Sequence, residues 1–365
     1  MIIDLIIGLL PKNIAIKLSQ FFFGKLDYCF LIHSRYYSDL YRKFPYFKIL
    51  PNFILRSIGR YMWPLRVGYI YGLDFNNKKK NGLFIGSPMD AKDMLDNRDL
   101  AKTKILKAAN FAEKLGVKYI GLGALSASLT RNGLDVKEKI NCFVTTGHSL
   151  TAWVVSDNAI RIKKILNRDL TIAIVGAGGS IGSACYYILK RHFKKIILIE
   201  KNLERLRERV NLSDQNIKKY SQNLEDIKLA DIIITATNAP YSIIDNINQL
   251  KKGTILIDDA QPINVSRKVN SQEYKTLVIE GGVCNLNGIN YKLNLDLLDT
   301  GDMFSCMGEL LVLTALDSND VTVGFTNEKR VLEISKMAEL VGIHSARFRS
   351  FGKLVTDDYI KYILS

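Results

Sequence analysis

From Leu170 onward the chain alternates short unbroken apolar runs with longer mixed stretches, reading "LTIAIV", "KKIILIE", "LADIIIT" and "GTILID". Runs of four to six aliphatic residues without a polar alternation predict parallel strands buried on both faces. The stretch between the first two runs has helical spacing, so the segment predicts a βαβ series. Upstream, Ile105, Ala108, Ala109, Ala112 and Leu115 recur at helical spacing and predict a helix over about Met94 to Leu115, with Gly116 as its C-cap. "VKYIGLGAL" predicts a strand entering a glycine-bearing loop, and "TTGHSLTAWVVSDNAIRIKKILN" a long helix with Thr146 or Ser149 as its N-cap. "NNKKKNG" reads as a surface loop. "FSCMGELLVL" predicts a helix that starts near Phe304 and carries Cys306 and Glu309 in its first turn.

Composition narrows the class. A chain of 365 residues with 47% hydrophobic content buries a sizeable core and divides most naturally into domains of ordinary size. Cys29, Cys142, Cys185, Cys284 and Cys306 are scattered with no CxxC pair, which argues against a disulfide framework or a zinc site and for a reducing, cytoplasmic setting. The formal charge of +15 suits an anionic partner such as a lipid surface or a phosphate-bearing protein. No nucleic-acid recognition motif accompanies it, and the basic excess is spread beyond any one helix. The opening "MIIDLIIGLL" is too short and is broken by Asp4, so no membrane crossing is expected there. Basic and aromatic residues interleave from Leu18 to Leu73. They read as a helical subdomain with a basic exterior, as a peripheral contact with an anionic membrane on its inner face, or as the lining of an entry for a greasy substrate.

"VGAGGSIG" lies between an apolar strand and a helix and places Gly176, Gly178, Gly179 and Gly182 with Ser180 and Ile181 at the turn. Such a turn brings backbone N–H groups close to a pyrophosphate, and the helix N-terminus favours its charge. Glu200 ends the next strand, where a carboxylate takes the ribose hydroxyls of NAD; Lys201 follows it and suits the 2′-phosphate of NADP, so the cofactor stays open between the two. Asn202 adjoins them. Thr237 and Asn238 follow another strand and are expected to border the cofactor, with Thr146 as a further contact. The fold class is therefore α/β: a Rossmann-like parallel sheet domain with a second, mixed α/β substrate domain. The expected division is a substrate domain over 1–167, a dinucleotide-binding domain over 168–298 and a C-terminal helical segment over 299–365.

In order, "AANFAEKLGVKYIGLGALSA", "TTGHSLTAW", "VGAGGSIGSA", "IEKNLERL", "LADIII", "LIDDAQP" and "FSCMGELLVL" resemble the fatty-aldehyde-forming long-chain acyl-ACP reductases and their amino-acid or shikimate dehydrogenase-like relatives. The resemblance implies NADPH-dependent reduction, with NADH as the alternative, of an acyl-ACP or acyl-CoA thioester to a fatty aldehyde. It implies that Cys306 is the nucleophile that takes the acyl group. A helix N-terminus favours a thiolate, which agrees. Gly123 and Ser126 match the loop that would hold the acyl oxygen. Thr145, Thr146, Gly147 and Thr151 match a further motif; His148, Leu150, Ser180, Asp259 and Ala260 depart from the family pattern, and the proton donor stays unassigned. Two other readings remain: an amino-acid or shikimate-like dehydrogenase that needs no thiol, and a non-catalytic dinucleotide-binding protein at a membrane.

Overall fold

The computed structural model describes residues 10, 12–23, 25–36, 38–39, 41, 45–61, 64–260, 262–295, 297 and 299–365. They form two compact units: Met1–Gly147 with Leu286–Leu295 and Cys306–Gly324, and His148–Asn285 with Asp296–Ser305 and Phe325–Ser365.

The first unit is built on a mixed six-stranded sheet. Its strands are β1 (Tyr28–Ser34), β2 (Leu65–Phe75), β3 (Lys78–Asp90), β4 (Tyr119–Leu122) and β5 (Phe143–Thr145), with the short strand Asn290–Tyr291 at the edge beside β2. β2 and β3 are an antiparallel hairpin, while β3, β1, β4 and β5 run parallel in that spatial order. Asn76 and Asn77 both hold positive φ, 52° and 59°, as a type I′ hairpin turn requires. The expected "NNKKKNG" loop is thus only that turn, and Lys78–Lys80 already belong to β3. The basic-aromatic region is helical only in part, over Lys12–Phe23 and Asn52–Tyr61, and otherwise contributes strands. "YCFL" supplies the buried body of β1, because its large apolar side chains pack on both faces of a strand flanked by β3 and β4. Helix Arg98–Lys114 turns Ala101, Ile105, Ala108, Ala109 and Ala112 onto the sheet in one apolar cluster with Leu83, Ile85, Ile120 and Leu122. Gly116, at φ 90°, follows its C-cap Leu115 and stops it.

The second unit contains a fully parallel six-stranded sheet, ordered β11-β10-β9-β6-β7-β8. The strands are β6 (Thr171–Val175), β7 (Lys195–Ile199), β8 (Ile217–Ser221), β9 (Ile232–Thr235), β10 (Thr254–Asp258) and β11 (Thr276–Glu280). The order reverses between β6 and β9, which makes their carboxyl ends the switch point of a doubly wound sheet. Helix His148–Leu166 belongs here: Ala152, Val155, Ala159 and Ile162 join the core made by helix Ser180–Leu189 and by β6, β7, β9 and β10. The domain border expected after residue 167 therefore falls at Gly147/His148. The C-terminal segment also divides, since 306–324 belong to the first unit whereas Ile360 and Ile363 are buried in the core of the second. Among the described residues no helix is long and apolar enough to cross a membrane.

Candidate active site

The turn after β6 has the shape its glycines demand. Gly176 sits at φ 85°, and a Cβ there would stand 2.4 Å from the carbonyl oxygen of Ala236. A Cβ on Gly182 would stand 2.3 Å from the carbonyl oxygen of Gly176, so the helix start can lie this close to the turn only without a side chain. Helix Ser180–Leu189 begins at Gly179 with no side-chain cap, which leaves the first-turn amides of Ser180, Ile181 and Gly182 facing outward for an anion. The Ser180 hydroxyl itself is used, accepting the Thr326 amide at 3.1 Å. This cradle fits a dinucleotide pyrophosphate. Gly176→Ala is expected to cost about 1 kcal/mol or more of stability and to lower dinucleotide affinity, read from denaturant unfolding and a binding titration.

On the β7 side, Glu200 is buried. Its Oε2 accepts the Gly178 amide at 2.9 Å and its Oε1 the Asn202 amide at 3.3 Å, so the carboxylate braces the glycine turn. Lys201 is exposed, and the Asn202 side chain caps the next helix by accepting the Arg205 amide. Arg205 is the residue that sequence reading missed: its Nε donates to the Gly178 carbonyl at 2.8 Å, which sets a guanidinium beside the turn. A basic residue five positions after the strand-ending acid was the available signal. On the β9 and β10 side, Thr237 donates its hydroxyl to Asn264 and accepts the Ala239 amide, while Asn238 is exposed. Asp258 accepts the Thr235 hydroxyl and the amides of Ala260, Asn264 and Val265; burial pushes its carboxyl up to about 6 against those four donors.

Cys306 lies in the first unit, as the second residue of helix Ser305–Ala315. It is the one cysteine of the five that is not buried. Burial drives the Cys142 thiol up to about 11 and the Cys185 thiol to about 12, and holds that of Cys29 well above its ordinary value, so those sulfurs are inert. Gly147, at φ 71°, seats Cys306: a Cβ on it would stand 2.1 Å from the Cys306 Cα and 2.4 Å from its Cβ. The Gly147 amide donates to the Thr145 hydroxyl at 2.9 Å, which in turn donates to Glu309 Oε1 at 2.7 Å. Thr322 donates to the same oxygen at 2.6 Å.

Glu309 is thus the fifth residue of its helix, past the first turn, and fully buried. It tethers the end of β5 to the cysteine helix through Thr145, one turn beyond the place in the helix expected for it. Thr146 is also in the first unit, where its amide and hydroxyl both donate to the Thr322 carbonyl. The long helix begins at His148, which puts Ser149 inside it and Thr146 ahead of it; neither is the residue immediately before the helix.

Ser126 is buried on the short helix Leu125–Ser128 at the carboxyl end of β4, and its amide closes a turn onto the Gly123 carbonyl. Ala124 in that turn has φ 44° and ψ −120°, a conformation normally left to glycine. His33 at the end of β1 holds the turn by accepting the Leu125 amide on Nε2 at 3.3 Å. Nδ1 therefore carries the proton and donates to the Ser34 carbonyl. Burial lowers the pKa of this imidazole, in keeping with a neutral ring. Among the described residues no acceptor faces the Ala124 amide.

Residues 160–279 match the shikimate/quinate 5-dehydrogenase family model. The chain is 27% identical over 270 residues to a long-chain acyl-[acyl-carrier-protein] reductase of Synechococcus elongatus, covering 68% of this chain and 75% of that protein. It is also 27% identical over 187 residues to a glutamyl-tRNA reductase of Trichodesmium erythraeum, a match that spans 48% of this chain and 43% of the relative. Among solved structures, shikimate dehydrogenase from Aquifex aeolicus aligns over 85% of this chain and 98% of its own with 12% identity and a TM-score of 0.36. Both sequence comparisons point to oxidoreductases.

Proposed function

We propose that this protein is an NADPH-dependent reductase that converts a long-chain acyl thioester, carried by acyl carrier protein or coenzyme A, to a fatty aldehyde through a thioacyl intermediate on Cys306. One observation carries the reading: of five thiols, only Cys306 is accessible, and it occupies the first turn of a helix and is seated by the Gly147 backbone. The dipole at the start of that helix favours a thiolate. In this reading the Cys306 sulfur attacks the acyl carbonyl carbon, the carrier's thiolate leaves and takes up a proton, and the Ala124 amide in the Gly123–Ser126 turn receives the acyl oxygen. A bound reduced nicotinamide supplies hydride. Glu309, Thr145 and Gly147 keep the sulfur in place throughout.

The similarity to a long-chain acyl-[acyl-carrier-protein] reductase supports the substrate class. Arg205 beside the glycine turn supports the 2′-phosphate of NADP over NAD. The charge of +15 supports an acidic carrier and, with Ile49 84% and Phe53 69% exposed near Lys48 and Arg56, a peripheral contact with anionic lipid. Intact-protein mass spectrometry after mixing with acyl-ACP or acyl-CoA, without nicotinamide, tests the reading. The expected product is a stoichiometric acyl adduct that peptide mapping puts on Cys306; an unmodified protein with both carriers overturns it.

A further inference from the structure

The dinucleotide reading has a direction. Glu200 and Arg205 at the end of β7 suit the adenosine half, so the nicotinamide half extends to the opposite side of the glycine turn, over the carboxyl ends of β9 and β10. Most polar groups on that side are spent within the protein. The Thr237 hydroxyl goes to Asn264, and Asp258 is saturated by one hydroxyl and three amides.

Asp259 is different. Its backbone amide continues the sheet, donating to the Thr235 carbonyl at 3.1 Å, but its carboxyl makes no hydrogen bond to a described residue. The carboxyl lies on the bare backbone of Gly282, with Oδ1 2.1 Å from the point where a Cβ would stand and Thr151 Cγ2 3.8 Å from the same point. A side chain on Gly282 would close this space. The titratable groups that face it are Asp258 on β10 and the Cys185 thiol from helix Ser180–Leu189; Thr235 and Thr151 are the neutral neighbours from β9 and helix His148–Leu166. Burial first, and the neighbouring Asp258 charge second, hold its carboxyl well above the ordinary range, with no cation among the described residues to oppose them.

A neutral carboxyl offers one O–H and one acceptor oxygen on one edge, and a carboxamide offers the complementary pair; an ionised carboxyl can only accept. The geometry points to Asp259 as the residue that reads the nicotinamide carboxamide, by paired hydrogen bonds at the end of β10. This assignment rests on the dinucleotide reading and adds to it a recognition residue that the glycine turn does not contain.

Calorimetric titration with two ligands tests it: NADPH, and 2′-phospho-ADP-ribose, which keeps the adenosine half and lacks the nicotinamide. Asp259→Ala is expected to weaken NADPH by about tenfold, the effect of losing one to two hydrogen bonds, while leaving the fragment within about twofold. Asp259→Asn restores the paired edge and is expected to bind NADPH nearly as wild type does. Wild-type affinity for NADPH is full at low pH and declines as pH rises through the elevated Asp259 titration. Affinity in Asp259→Asn lacks this decline, and fragment binding lacks it in both proteins. Equal loss of both ligands in Asp259→Ala, no loss of either, or failure of Asn to rescue overturns the assignment. A wild-type protein that binds neither ligand overturns the dinucleotide reading itself.

Discussion

Cys306→Ser is expected to lower aldehyde formation from acyl thioesters by about a thousandfold or more while leaving NADPH affinity unchanged. The substitution keeps the side chain's size and its place in the first turn of helix Ser305–Ala315, so the fold has no reason to respond. What it removes is an atom that the helix terminus can stabilise as an anion near neutral pH, since a serine hydroxyl there stays protonated. Cys185→Ser is the control, because that thiol is buried and donates to the Ala152 carbonyl; it is expected to cost some stability and no acylation. Steady-state aldehyde release, read beside nicotinamide-free acylation, separates the two. Normal turnover in Cys306→Ser would favour the shikimate-like dehydrogenase reading, which needs no thiol.

The second large effect is expected from Gly147→Ala. The residue holds φ 71°, where an L side chain is strained, and the new methyl would stand 2.1 Å from the Cα of Cys306. Backbone cannot rotate away as a side-chain tip can. Either the end of β5 or the start of the cysteine helix must move, at a cost of about 1–3 kcal/mol. Movement of either displaces the sulfur from its seat on Gly147, so acylation is expected to fall by at least about tenfold, well beyond the loss in folded protein. Urea unfolding gives the first quantity; the rate of Cys306 alkylation by iodoacetamide, with and without acyl thioester, gives the second. Thr145→Val, which removes the hydroxyl between Gly147 and Glu309, is expected to act in the same direction more weakly, with Thr145→Ser restoring the rate. Wild-type acylation in Gly147→Ala would show that this contact does not position the thiol.

Much of the second unit was legible in sequence because its determinants are local. A parallel strand buried on both faces must be apolar throughout, and a turn that brings a helix end to within contact of a strand end must lack side chains at Gly176 and Gly182. For Arg205 the sequence offered only a basic residue five positions after Glu200; the path of helix Leu203–Arg209 is what brings its guanidinium onto the Gly178 carbonyl. Thr146 and Glu309 were read by position in their motifs, as a cofactor contact and a first-turn acid. Tertiary pairing with Thr322, more than a dozen residues from either, turned both into parts of one tether.

The chain's local chemistry alone determined the α/β class, the order of the strands along the chain, the glycine turn and the nomination of one thiol at a helix start. The tertiary structure decided the rest: which thiols are buried, that "YCFL" becomes a central strand, and that residues 306–324 leave the second unit for the first. The physical reason is that backbone conformation and apolar periodicity are set by neighbours in sequence. Burial, proton affinity and the seating of Cys306 against Gly147 arise from segments more than a hundred residues apart, which meet only when the core packs.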